Sequence, residues 1–142
     1  MNRIGLLLIG LVCGIAASAA MADVVAVVSA GSAVTTLSRN QLLDIFLGRA
    51  NRFSDGTPAV PLDQAEGSAV RDEFYSKLAG QTAAQIKAYW SKIIFTGRGQ
   101  PPPTVPNDVE VKKRIRANPA AIGYIDRSAV DDSVRVVFWG QD

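Results

Sequence analysis

The chain has 142 residues, with 15 Lys plus Arg, 13 Asp plus Glu, no histidine and one cysteine. This is the length of one domain. The missing histidine excludes a Ser-His-Asp triad and imidazole metal ligation, and the single cysteine excludes a disulfide framework, a CxxC pair and a thiolate zinc cage. A net charge of +2 is too small to indicate nucleic-acid binding.

Residues 1–22 read as a secretory signal and 23–142 as the exported domain. Asn2 and Arg3 form a short positive start, residues 4–20 are apolar and uncharged, and Ala20-Met21-Ala22 places small residues where a signal peptidase reads them. Cleavage is expected between Ala22 and Asp23, with the periplasm as destination. Gly5, Gly10 and Gly14 and the late alanines favour removal over a retained anchor helix. Cys13 is preceded by the large Leu11 and Val12, which argues against a lipid-attachment site. Taking 22 residues from 142 leaves 120, with 14 basic and 13 acidic side chains and neither cysteine nor histidine. Such a domain must be held by its apolar core, and a chain of this size can bury about two-thirds of its unfolded surface.

The elements follow in chain order. VVAVV at 24–28 is an uninterrupted β-branched run, as in a strand covered on both faces. Ser38 and Gln41 match a capping box, opening a helix with Leu42, Leu43, Ile45 and Phe46 on its apolar stripe and Gly48 at its end. Residues 59–62, with Pro58 before them and Pro61 among them, predict an edge or short strand. Gly67-Ser68 opens a second helix, with Val70, Phe74 and Leu78 on one face and Gly80 as its stop. Thr82 and Gln85 cap a third, whose stripe of Ile86, Tyr89, Trp90, Ile93 and Ile94 is read as core. RGQPPPTVP at 98–106 predicts an extended connector. Asn107, with Glu110 at N3, opens a fourth helix that ends at Asn118-Pro119 and carries the basic cluster Lys112, Lys113, Arg114 and Arg116. Residues 121–125 and 134–139 close the chain as strands. This order predicts an α/β layer fold with a mainly parallel sheet flanked by helices.

Four strings carry a resemblance. LSRNQLLDIFLG at 37–48 resembles the LS-x-x-(Q/E)-L-x-x-IF-x-G segment of phosphate-type periplasmic solute-binding proteins. EGSAVRDEF at 66–74 resembles their GSGTR-x-x-F loop and helix, and NPAAIGYI at 118–125 their NPGAIGY turn into a strand. Residues 89–102 look like a compact subgroup of short, exported, single-lobe members. The resemblance spans roughly residues 24–139 and implies a single periplasmic-binding-protein-like lobe. It also implies a substrate-binding role in a phosphate ABC transporter, with phosphate or another small oxyanion as ligand and a permease as membrane partner.

In that family phosphate sits at a helix N-terminus, where unpaired N–H groups and the positive dipole end face the anion. The resemblance carries the site onto Gln64, Gly67, Ser68, Ala69, Val70 and Arg71. Ser68 matches the family serine and Arg71 an arginine that follows the motif in some members. Ala69 stands where glycine is usual, Val70 where threonine is usual and Gln64 where a clamping arginine is usual. Exchanging a charged clamp for an amide costs about 1–3 kcal/mol, or about one to two decades in affinity. A two-lobed cleft would be completed by a homodimer or a partner lobe.

Read without the resemblance, Ser68 is an N-cap, and Arg71, beside Asp72 and Glu73, is a solvated surface charge. Asp44, Asp63, Glu66 and Asp72 have no spacing that pairs two in one cleft, and Gly97-Arg98-Gly99 is not a Walker loop. The expectation is a binding protein and not an enzyme, with no catalytic residue, metal or cofactor. The alternative is a periplasmic interaction or adaptor module on the same fold, without the ligand.

Overall fold

A computed structural model describes residues 23–139; the expected signal segment, residues 1–22, lies outside the described residues. Four strands form the main sheet in the order β2-β5-β1-β6. They are β1 (Val24–Ser29), β2 (Val60–Pro61), β5 (Ala121–Asp126) and β6 (Val134–Phe138). β2 runs parallel to β5, and β1 is antiparallel to both β5 and β6. Three of the four strands therefore share one direction, as a mainly parallel sheet predicts, while β1 opposes them and makes the sheet mixed. The reversal places β1 between two antiparallel neighbours at the sheet centre. A separate parallel pair joins β3 (Asp63–Gln64) to β4 (Thr104–Val105).

The strand alternation builds two cores. Val24, Ala26 and Val28 of β1, with Ile122 and Tyr124 of β5, face the larger one. There α1 (Arg39–Phe46), α2 (Ala69–Ala79) and α3 (Ala83–Phe95) contribute Leu42, Phe46, Phe74, Leu78 and Trp90. Val25 and Val27, with Ala121 and Ile125, face the smaller one, where α4 (Asp108–Ala117) contributes Val111 and Ile115. Burial on both faces is why the β1 run reads as continuously apolar. Each fully buried aliphatic or aromatic side chain contributes about 1.5–3 kcal/mol.

The helix starts match the sequence. Ser38 and Thr82 form full capping boxes with Gln41 and Gln85. Ser68 caps α2 by accepting from the Arg71 amide, and Asn107 caps α4 by accepting from Glu110. Two readings need correction. The proline-rich connector contains β4, because a proline that cannot donate still accepts: the Asp63 amide donates to the Pro103 carbonyl at 2.9 Å. In α3, Ile86 and Trp90 are buried, but Ile94 is 53% exposed and its neighbour Phe95 is 92% exposed. The stripe is wider than the face that α2 and the larger core cover.

Gly123 is where β5 passes beneath α4. A Cβ there would lie 2.6 Å from Val111 Cγ1. Gly123→Ala should therefore cost about 1–3 kcal/mol by overpacking. Urea denaturation will read this loss, and adding Val111→Ala should recover part of it by restoring space.

Candidate functional site

The site region begins on the buried pair Asp63 and Gln64 of β3. These are the buried polar side chains among the described residues. The backbone turns from β3 through Ala65, Glu66 and Gly67, where φ is +88°, into the N-terminus of α2. That turn brings Ser68 and Arg71 back over β3.

Asp63 carries the densest set of contacts. One carboxylate oxygen accepts from the Tyr124 hydroxyl in a very short hydrogen bond and from the Gln64 amide at 3.0 Å. The other accepts from the Tyr75 hydroxyl at 2.6 Å, and the Arg71 guanidinium lies 3.6 Å from it. Arg71 also donates to the Gln64 carbonyl at 2.9 Å and lies 5.7 Å from the Tyr75 ring centre. Its side chain is only 15% exposed. The expected solvated charge is instead half of a nearly buried ion pair, because Asp63, on another element, lies within reach of the guanidinium.

Gln64 extends the network. Its side-chain amide donates to Asp108 at 2.6 Å and to the Tyr124 carbonyl at 3.0 Å, and its oxygen takes a long 3.5 Å contact from the Ser68 hydroxyl. Asp108 in turn accepts from the Asp126 amide at 3.2 Å. In place of a charged clamp, Gln64 joins β3 to α4 and β5.

The six expected site residues thus divide. Gln64, Ser68 and Arg71 come together. Gly67, on the turn, and Ala69, the first residue of α2, are exposed, with open space around Gly67. Val70 packs against the larger core, so the position of the usual hydroxyl is turned inward and apolar. The sequence reading did not find Asp63, Tyr75, Tyr124 and Asp108 as one network.

Beside this network lies a cleft of about 390 Å³ lined by Asp63, Glu66, Arg71 and Lys87, with Trp90 and Ile94 from α3. Its charges pair internally: Asp63 with Arg71, and Lys87 with Glu66 at 3.5 Å. An anion entering it meets two cations already shared with two carboxylates. Among the described residues no group of three or more acidic side chains is placed to hold a metal ion.

Burial raises the Tyr75 and Tyr124 phenols far above the ordinary tyrosine range, and the adjacent Asp63 charge adds to the effect. A group whose folded value is raised stabilises the fold fully below its unfolded value of about 10 and loses that contribution as pH climbs above it. Stability should therefore fall above about pH 10. In an alkaline titration, tyrosinate absorbance from these two residues should appear only with global unfolding. Tyr75→Phe, which removes one bond to a charged acceptor, should cost about 1.5–3 kcal/mol in urea.

Comparison with known proteins bears out the resemblance as one of fold. The chain is similar to a protein from Clostridium perfringens described as a phosphate ABC transporter substrate-binding protein and solved with bound phosphate. The TM-score is 0.63 at 24% identity, over 81% of this chain and 44% of that one. It is similar to an ABC-type phosphate transport receptor from Vibrio cholerae, with a TM-score of 0.64 at 21% identity over 81% and 45%. It is also similar to PstS from Borrelia burgdorferi, with a TM-score of 0.59 at 15% identity over 82% and 46%. The chain spans less than half the length of these proteins. No protein-family model and no curated protein matches it. Among the described residues no helix is long and apolar enough to cross a membrane.

Proposed function

We propose that the chain is a solute-binding-type domain, exported to the periplasm through residues 1–22, that works by non-covalent binding and performs no chemistry. Its ligand in this reading is a small oxyanion such as phosphate, taken weakly at the α2 N-terminus. The observation that carries the reading is the convergence of Ser68 and Arg71 on that helix end. There the first-turn amides have no intrahelical acceptor and the dipole favours an anion.

Weak binding follows from the same geometry. Arg71 already spends its guanidinium on Asp63 and Gln64, Ser68 is used as the cap, and Val70 supplies no hydroxyl. Phosphate must compete with a carboxylate that holds two tyrosine donors and the arginine. The described residues form one wall of such a site, so a facing surface would have to enclose the anion. A transporter permease or a second copy of this chain is the kind of partner that supplies it.

Calorimetric titration of the exported protein with phosphate and with sulfate tests this. Dissociation constants near the millimolar range, about −4 kcal/mol, are expected, and Ser68→Ala should weaken them further. Absence of heat and of any thermal shift at tens of millimolar of either anion would remove the ligand from the reading. A micromolar constant would instead show that the internal pairing does not compete. Export is tested separately. The periplasmic protein should have the mass of a chain beginning at Asp23, and a retained N-terminus would sink the cleavage assignment.

A further inference from the structure

A second cleft, of about 540 Å³, lies on the other side of α3, between that helix and the turn that follows α1. Its apolar floor is Leu47, Tyr89, Trp90 and Ile93, and its cations are Arg49, Lys92 and Arg98. We propose that this cleft docks an acidic segment of a partner protein, seating one apolar side chain of that segment on the floor.

The charge pattern carries the proposal. No acidic side chain lines the cleft, while its three cations come from three different places: the turn after α1, the last turn of α3 and the proline-rich connector. Lys92 and Arg98 have no acidic partner among the described residues. Arg49 shares its charge only with the half-exposed Asp44, at 3.7 Å, a pairing worth little in solvent. The helix dipole accounts for a lysine near the end of α3. It does not account for Arg49 and Arg98, which sit outside the helix and raise the positive potential at the same opening.

The cleft is also preformed. The Tyr89 hydroxyl donates to the Leu47 carbonyl at 2.7 Å and ties α3 to the turn. Gly48, at φ +74°, lets that turn press against the Trp90 ring so closely that a Cβ would sit 3.1 Å from Trp90 Cη2. The Trp90 indole N–H is buried without a hydrogen-bond partner, a polar group left over in a wall shared with the first cleft. Walls that need no reordering lower the cost of binding.

Concavity selects the occupant. A membrane surface meets protruding apolar groups, whereas Trp90 and Tyr89 form a recessed floor that a bilayer does not reach. Inorganic phosphate would use the rim charges and leave the floor uncovered. An acidic peptide with an aromatic or aliphatic anchor uses both. The proposal does not depend on oxyanion binding at α2.

The test uses the exported protein and a fluorescein-labelled, capped heptapeptide with a central phenylalanine flanked by aspartate and glutamate, followed by fluorescence anisotropy. Saturable binding that weakens as salt rises is expected. Lys92→Gln with Arg98→Gln should weaken it about tenfold with only a small change in melting temperature, since neither cation has an acidic partner to lose and the dipole interaction of Lys92 is small. Exchanging the central phenylalanine for alanine in the peptide should also weaken it several-fold. The proposal is overturned if the peptide binds no better than one with lysine at every acidic position. Equal binding by the double variant overturns it too, as does capture of the protein by phosphatidylglycerol vesicles while the peptide stays free.

Discussion

A single buried carboxylate sets the arrangement of the fold. Asp63 is almost fully buried, and an ion in that position costs several kcal/mol unless its surroundings replace the lost hydration. Here they do so with two phenols, a backbone amide and a guanidinium. The donors come from α2, β5 and β3 itself, so satisfying the carboxylate fixes where α2 crosses the sheet. Phe74 stacks on Tyr124 at 3.9 Å between ring centres, and Phe46 packs edge-on against Phe74 at 4.9 Å. This aromatic layer keeps water out, and in that low-dielectric setting the bonds to Asp63 are stronger than they would be at the surface.

The same contacts set a limit on anion recognition. A helix N-terminus with a serine and an arginine beside it is a natural oxyanion site. In this chain the arginine is drawn toward the sheet by Asp63, and the residue after Asp63 is an amide tied to Asp108 and Tyr124. Groups that hold an external anion in an open site here hold one another. Moving Arg71 onto a ligand would leave Asp63 with its hydrogen bonds but without its cation, so ligand affinity and internal stability oppose each other at this corner.

What the sequence revealed follows from range of interaction. Capping boxes at Ser38 and Thr82, the Ser68 cap and the two-faced β1 strand are determined within a few residues, and each was legible. The Asp63 cluster was not, since Tyr75 lies 12 positions away and Tyr124 lies 61 away. The one local signal was a charged residue placed directly after the short apolar run 59–62, a position that invites burial. Arg71 was misread for the same reason: its near neighbours Asp72 and Glu73 are acidic, but its partner is on another element. The β3-β4 pair was hidden because prolines on both sides of Thr104 and Val105 suppress a strand reading, although Pro103 keeps the carbonyl that accepts from the Asp63 amide and Val105 supplies the one that accepts from Ala65.

The third helix was both the most legible element and the least completely understood. Its pattern is strong, but Tyr89, Trp90, Ile93 and Ile94 cover an arc wider than one buried face requires. Consecutive residues on a helix point about 100° apart. Ile93 accordingly lines one cleft and Ile94 the other, with Trp90 in the wall of both. The excess width of the stripe was therefore information beyond core packing. It marks a helix that meets α2 and the larger core on one side and divides two surface clefts on the others, one with its charges paired and one left cationic.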